Sequence, residues 1–148
     1  MAKASASSAL LAEELYRLVG RARRLLWQAA ARCLEARGES IFTWQTVCYL
    51  ARNGPTAQKD LAYANAQHPA GISRLVEELE AEGLVTRTAD PTDRRRQLVS
   101  ATPKGKAWLD RTMPVVTSAV DEALAGLDRR DREALRDLLR AMLGEGAP

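Results

Sequence analysis

The apolar positions near the start of the chain recur at intervals of four and three. Leu11, Leu15, Leu18, Ala22, Leu25 and Ala29 follow a 4-3-4-3-4 spacing, which puts them in one stripe along a helix. The pattern predicts a helix over residues 10–37, entered from an Ala/Ser-rich tail and ended by Gly38. A helix of about 28 residues is a rod of roughly 40 Å. That is long for a chain of this size, so part of the stripe is expected to pack on a partner chain.

Shorter elements follow. Thr43 is placed to cap a helix whose Val47, Leu50 and Ala51 face inward, with Gly54-Pro55 as its stop. Thr56 is placed to cap a short helix anchored by Leu61. Pro69 suits the first turn of the next helix, where Ile72, Leu75, Val76 and Leu79 form an amphipathic repeat ended by Gly83. The period then drops to two. Residues 84–88 and 97–101 read as short strands flanking "ADPTDRRR". Thr102-Pro103 restarts a helix through Trp108, Leu109, Val115, Val116, Val120 and Leu124, with Pro114 as an expected kink. Asp128 caps a last helix, whose apolar face is Leu135, Leu138, Leu139 and Met142 and whose end is Gly144. The expected order is four helices, two strands, two helices: mainly α with a small β-hairpin.

Two short helices, the second amphipathic and followed directly by a hairpin, form a winged helix-turn-helix. Its second helix enters the DNA major groove by its N-terminal end. The charges can be tested against that geometry. The net charge of the 148-residue chain is only +3, so attraction to an anion must come from placement. Residues 84–111 carry seven bases (Arg87, Arg94, Arg95, Arg96, Lys104, Lys106, Arg111) against three acids (Asp90, Asp93, Asp110). The acids of the amphipathic helix, Glu77, Glu78, Glu80 and Glu82, all lie in its C-terminal half. A helix that inserts N-terminus first keeps such acids away from phosphate.

Other chemistry finds little support. With 46% hydrophobic and 28% charged residues, the composition is globular. No apolar run approaches a membrane span, so no membrane partner is expected and the cytoplasm is the default location. Cys33, Cys48 and His68 make neither a disulfide framework nor a zinc site, and no cofactor is expected. No Ser/His/Asp set, glycine-rich phosphate loop or paired-carboxylate cleft argues for an enzyme.

The stretch "GPTAQKDLA" and the run "RLVEELEAEGLVTRTADPTDRRRQLVSATPKG" resemble the DNA-binding core of the MarR family of bacterial transcriptional regulators. The resemblance spans residues 42–109. It includes the "LEAEGLV" helix end, an Asp-x-Arg wing and a Thr-x-x-Gly helix restart. It implies a winged helix-turn-helix core over residues 38–102 and dimerisation helices over 1–37 and 103–148. It also implies a homodimer on a pseudo-palindromic operator in double-stranded DNA, acting as a repressor released by a small-molecule effector.

Carried onto this chain, the resemblance puts the start of the recognition helix at Pro69, Ala70, Gly71, Ser73 and Arg74. Ala70 and Gly71 depart from the Ser or Thr common there, which makes base readout by this helix sparse. Thr56, Gln58 and Lys59 are the expected phosphate contacts of the first helix. On the wing, Arg95 is the expected minor-groove contact, Asp93 its orienter, and Arg94 and Arg96 its neighbours on the backbone. The effector crevice of the family maps to Trp27, Cys33, Trp44, Cys48 and Trp108, with an aromatic or apolar, anionic ligand expected. Two alternatives stay open at this point. One is a thiol-based oxidant sensor of the same fold, through Cys33, since Cys48 sits in an apolar run. The other is a helical protein-interaction adaptor that has lost DNA binding. His68 is read as a helix cap.

Overall fold

The computed structural model describes residues 2–93 and 96–145, with the side chains of residues 2–7 left out. Its elements are α1 (Ala2–Glu35), α2 (Ile41–Asn53), β1 (Thr56–Ala57), α3 (Gln58–Ala64), α4 (Pro69–Ala81), β2 (Val85–Ala89), β3 (Gln97–Ala101), α5 (Pro103–Ala123) and α6 (Arg129–Leu143). The chain divides into two compact units. One is Ala30–Val116; the other joins the ends, Met1–Ala29 and Thr117–Pro148.

The central unit is built around one core. Val47 and Leu50 of α2, Leu61 of α3, Ile72, Val76 and Leu79 of α4, Val85 of β2, Val99 of β3, and Trp108 and Leu109 of α5 are all buried in it. The apolar repeat of α4 therefore faces inward as its spacing predicts. Leu61 is the sole large apolar anchor of a seven-residue helix and is fully buried. Such a helix is too short to persist alone, and its stability comes from this packing.

The hairpin pairs β2 with β3 antiparallel, Val85 opposite Ala101 and Ala89 opposite Gln97. A third strand completes the sheet in the order β1-β3-β2. Thr56 and Ala57 pair with Val99 and Leu98. Two residues are too few to show a period, so this strand has no signature in the sequence.

Several ends differ from expectation. The first helix runs from Ala2, because the Ala/Ser stretch holds no breaker, and it stops at Glu35. Ser40, not Thr43, caps α2 by accepting the Phe42 N–H at 3.2 Å. Thr56 does not cap α3 either. It is in β1, its hydroxyl donates to Gly54 O at 3.0 Å, and Ala57 takes the cap position with no side-chain bond. α5 runs through Pro114 as read and ends at Ala123, next to the expected Leu124. The other caps stand as read: His68 Nδ1 accepts the Ala70 N–H at 3.2 Å, and an Asp128 carboxylate oxygen accepts the Asp131 N–H at 2.8 Å.

In the terminal unit, Leu11, Leu15, Leu18 and Leu25 of α1 are exposed, and so are Leu135, Leu138, Leu139 and Met142 of α6. Arg132 of α6 ties the turn before it, donating to Leu127 O and Leu124 O, each at 3.0 Å, and pairing with Asp121. No described helix is long and apolar enough to cross a membrane.

Candidate nucleic-acid interface

The residues before Pro69 shape the entry to α4. Ala66 takes a positive φ of 50° and Gln67 N donates back to Ala62 O at 2.9 Å, closing the α3–α4 turn. His68 then caps α4 and Pro69 fills its first turn. The result is an N-terminal end that carries no acid. Pro69, Ala70, Gly71 and Arg74 are exposed, and Ser73 is half-buried. A Cβ built on Gly71 meets nothing within 4 Å, so neither close packing nor backbone strain in the chain itself explains the glycine.

On α3, Lys59 is exposed and Gln58 half-buried. Thr56, now a strand residue, is half-buried with its hydroxyl engaged. Sequence reading passed over Tyr63. It lies one turn after Lys59 on the same face of α3, and at 91% exposure it is the most exposed large hydrophobic side chain described. The available signal was its place in a repeat whose buried members are Leu61 and Ala62.

The wing is organised by Asp90. This carboxylate is buried, and its Oδ1 accepts both the Thr92 hydroxyl, at 2.6 Å, and the Thr92 N–H, at 2.8 Å. These bonds, the hydroxyl's foremost, hold the Asp90 carboxyl below the usual range. Asp90 N donates to Arg96 O and Arg96 N to Asp93 O, each at 2.9 Å, closing the loop. Of the three wing arginines, Arg94 and Arg95 lie outside the described residues. Arg96 is exposed, and its guanidinium stands 3.4 Å from Asp60 of α3. Asp93 is exposed.

Not all the bases of residues 84–111 are free to meet an outside anion. Arg87 pairs with Glu80 of α4, and Arg96 with Asp60. Both acids come from outside the segment, so two of its seven bases are partly neutralised. Sequence position did not disclose these partners, which the fold brings in from seven and thirty-six residues away.

The five aromatic and thiol residues of the expected effector crevice have different surroundings. In the central unit, Cys48 and Trp108 are in the core, and Trp108 Nε1 donates to Glu39 Oε1 at 3.1 Å. Burial pushes the Cys48 thiol up, against the field of Arg52. Trp44 is half-buried against the same core, and its indole N–H is buried without a hydrogen-bond partner. Cys33 is half-buried, its thiol donating to Ala30 O at 3.0 Å. Trp27, in the terminal unit, is half-buried.

Comparison with known proteins places this geometry. Residues 43–96, the stretch from α2 through the wing, match the MarR family. The HTH-type transcriptional repressor NicR of Pseudomonas putida is 37% identical over 98 residues, covering 66% of this chain and 62% of that repressor. The match thus spans less than two thirds of NicR. Among solved structures, a probable transcriptional regulator of Pseudomonas aeruginosa is 31% identical with a TM-score of 0.70, covering 89% of this chain and 98% of the other. BpsR of Bordetella bronchiseptica, whose DNA binding is regulated by 6-hydroxynicotinic acid, is 26% identical with a TM-score of 0.73, covering 87% and 98%. With a helix-turn-helix and a hairpin in this order, residues 43–96 belong to the MarR family of transcriptional regulators.

Proposed function

We propose that the chain is a cytoplasmic, dimeric, sequence-specific DNA-binding repressor. The observation that carries this reading is the polarity of α4. Its N-terminal end is exposed and acid-free, as Lys59 and Tyr63 of α3 are exposed, while Glu77, Glu78, Glu80 and the C-cap Glu82 lie toward the other end. Such a helix lowers its N-terminus into the major groove with little repulsion from phosphate. Ser73 and Arg74 reach base edges or phosphate there, Thr56, Gln58 and Lys59 hold the backbone, and the wing arginines, Arg95 foremost with Asp93 as its orienter, reach the minor groove. Pro69, Ala70 and Gly71 contribute close backbone approach, not base readout.

The exposed leucines of α1 and α6 support the dimer. Two copies would cover apolar faces that a monomer leaves in water, and a twofold dimer reads two half-sites. The effector is a small aromatic carboxylate, with Trp44 of the central unit as its principal contact and Cys33 of the same unit as a further candidate. The support is the partnerless Trp44 indole N–H, a ready donor, and the 6-hydroxynicotinic acid that regulates BpsR. Burial of Cys48 and Trp108 leaves them as walls behind this site. The experiment is a mobility shift on DNA from upstream of the chain's own gene, with and without aromatic carboxylates. Binding that is relieved by one of them supports the reading; a soluble dimer with no affinity for such DNA contradicts it.

A further inference from the structure

Arg87 lies on the same face of β2 as Val85, two residues away, whose side chain is in the core. That face turns its guanidinium toward Glu80 of α4. Arg87 Nε donates to Glu80 Oε2 at 2.9 Å and Nη2 to the same oxygen at 2.6 Å, while the Arg87 backbone N–H donates to Oε1 at 3.2 Å. One carboxylate thus grips both the main chain and the side chain of a strand residue. Both side chains are about one third exposed, so the pair is set into the surface and not loose on it.

We propose that Glu80 is a specificity-determining positioning residue: it fixes the first strand of the wing on the recognition helix and withholds the charge of Arg87 from phosphate. This inference rests on the reading that α4 and the wing bind DNA together. A hairpin free to pivot is still drawn to any phosphate. Only a hairpin held at one distance from α4 can place its tip while α4 occupies the groove. A released Arg87, by contrast, adds one backbone contact on any sequence. Loss of Glu80 therefore moves specific and non-specific binding in opposite directions. General destabilisation lowers both together.

The test is fluorescence anisotropy on two duplexes of equal length, one carrying the footprinted operator and one unrelated, across a range of KCl concentrations. Glu80→Ala is expected to lower operator affinity about tenfold while affinity for unrelated DNA holds or rises, its salt slope steepening by about one ion. Glu80→Gln, which keeps an acceptor and the fold, falls between the two. Arg87→Ala also loses operator affinity but without the steeper slope, and adding Glu80→Ala to it costs no more specificity. An operator-to-unrelated ratio within about twofold of wild type for Glu80→Ala, or equal loss on both duplexes by a folded dimer, overturns the inference. A wild-type chain with no preference between the duplexes overturns the DNA-binding reading itself, and this inference with it.

Discussion

The main chain of α5 at Gly105 lies directly against the carbonyl of Leu84, so that a Cβ on Gly105 would overlap that oxygen. This approach belongs to a wider junction. Thr102 N donates to Leu84 O at 3.0 Å, the Thr102 hydroxyl donates to Gly83 O at 2.6 Å, and Lys104 Nζ reaches Glu82 O at 2.5 Å. The turn that follows α4, from Glu82 to Leu84, is thus held from the start of α5. Thr102 also accepts the Gly105 N–H at 3.0 Å. The Thr-x-x-Gly restart seen in the sequence is the device that joins the recognition helix to the helix after the wing. Gly105→Ala must push backbone from backbone and is expected to cost about 1–3 kcal/mol or more. Urea denaturation against the exposed control Lys106→Ala checks it; a difference under about 0.5 kcal/mol is ordinary for a surface change and would contradict the tight packing.

Gly71 makes the opposite prediction. A methyl there meets open space, so Gly71→Ala is expected to stabilise the free protein by roughly 0.5–1 kcal/mol through helix propensity. If the glycine serves close approach to DNA, operator affinity falls in the same variant. Thermal melting and anisotropy on one preparation separate the effects.

Two carboxylates of the central unit are held below their ordinary range. Glu80 is held below the usual range chiefly by the Arg87 side-chain bonds, and Asp90 by the Thr92 hydroxyl. A depressed carboxyl contributes its stability above the unfolded-state pKa of about 4 and loses it as pH falls through the lower folded value. Stability is therefore expected to drop as pH falls below about 4, and Glu80→Gln and Asp90→Asn each to flatten that drop. Denaturation midpoints between neutral and acid pH test this. Unchanged slopes in both variants would contradict it.

The thiols should behave differently. Cys48 is in the core and its thiol is pushed up by burial, so at neutral pH it is expected to react with a disulfide reagent only after unfolding. Labelling of the native protein followed by peptide mapping checks this. Rapid modification of Cys48 in the folded state would contradict its burial.

Much of this architecture is legible in the sequence, for physical reasons. Ile72, Val76 and Leu79 announce α4 because burial follows the helical period. Glycines at 38, 54, 83 and 144 mark ends because each adopts a positive φ. The two strands of the hairpin are read at 84–88 and 97–101 because the period drops to two, and they are found at Val85–Ala89 and Gln97–Ala101. What stayed hidden depends on pairings made across the chain. β1 is two residues long and exists only because β3 lies beside it. The cap of α2 turned on local geometry that Ser40 or Thr43 could have supplied, while α3 starts after Ala57 without a side-chain cap and Thr56 is taken up by β1. The partners of Arg87 and Arg96, which decide how much of the basic wing is available to DNA, are set by the packing of β2 on α4 and of the wing on α3.

That α4 and the wing together form a DNA-binding surface is tested most directly by an anisotropy titration. The footprinted operator is titrated with wild type and with Arg74→Ala and Arg95→Ala, each at several salt concentrations. Wild type is expected to bind with steep salt dependence. Each variant is expected to bind more weakly by about 1–3 kcal/mol, with a salt slope shallower by about one ion where the deleted guanidinium had been on phosphate. Affinities and slopes equal to wild type in both variants would contradict the DNA-binding surface.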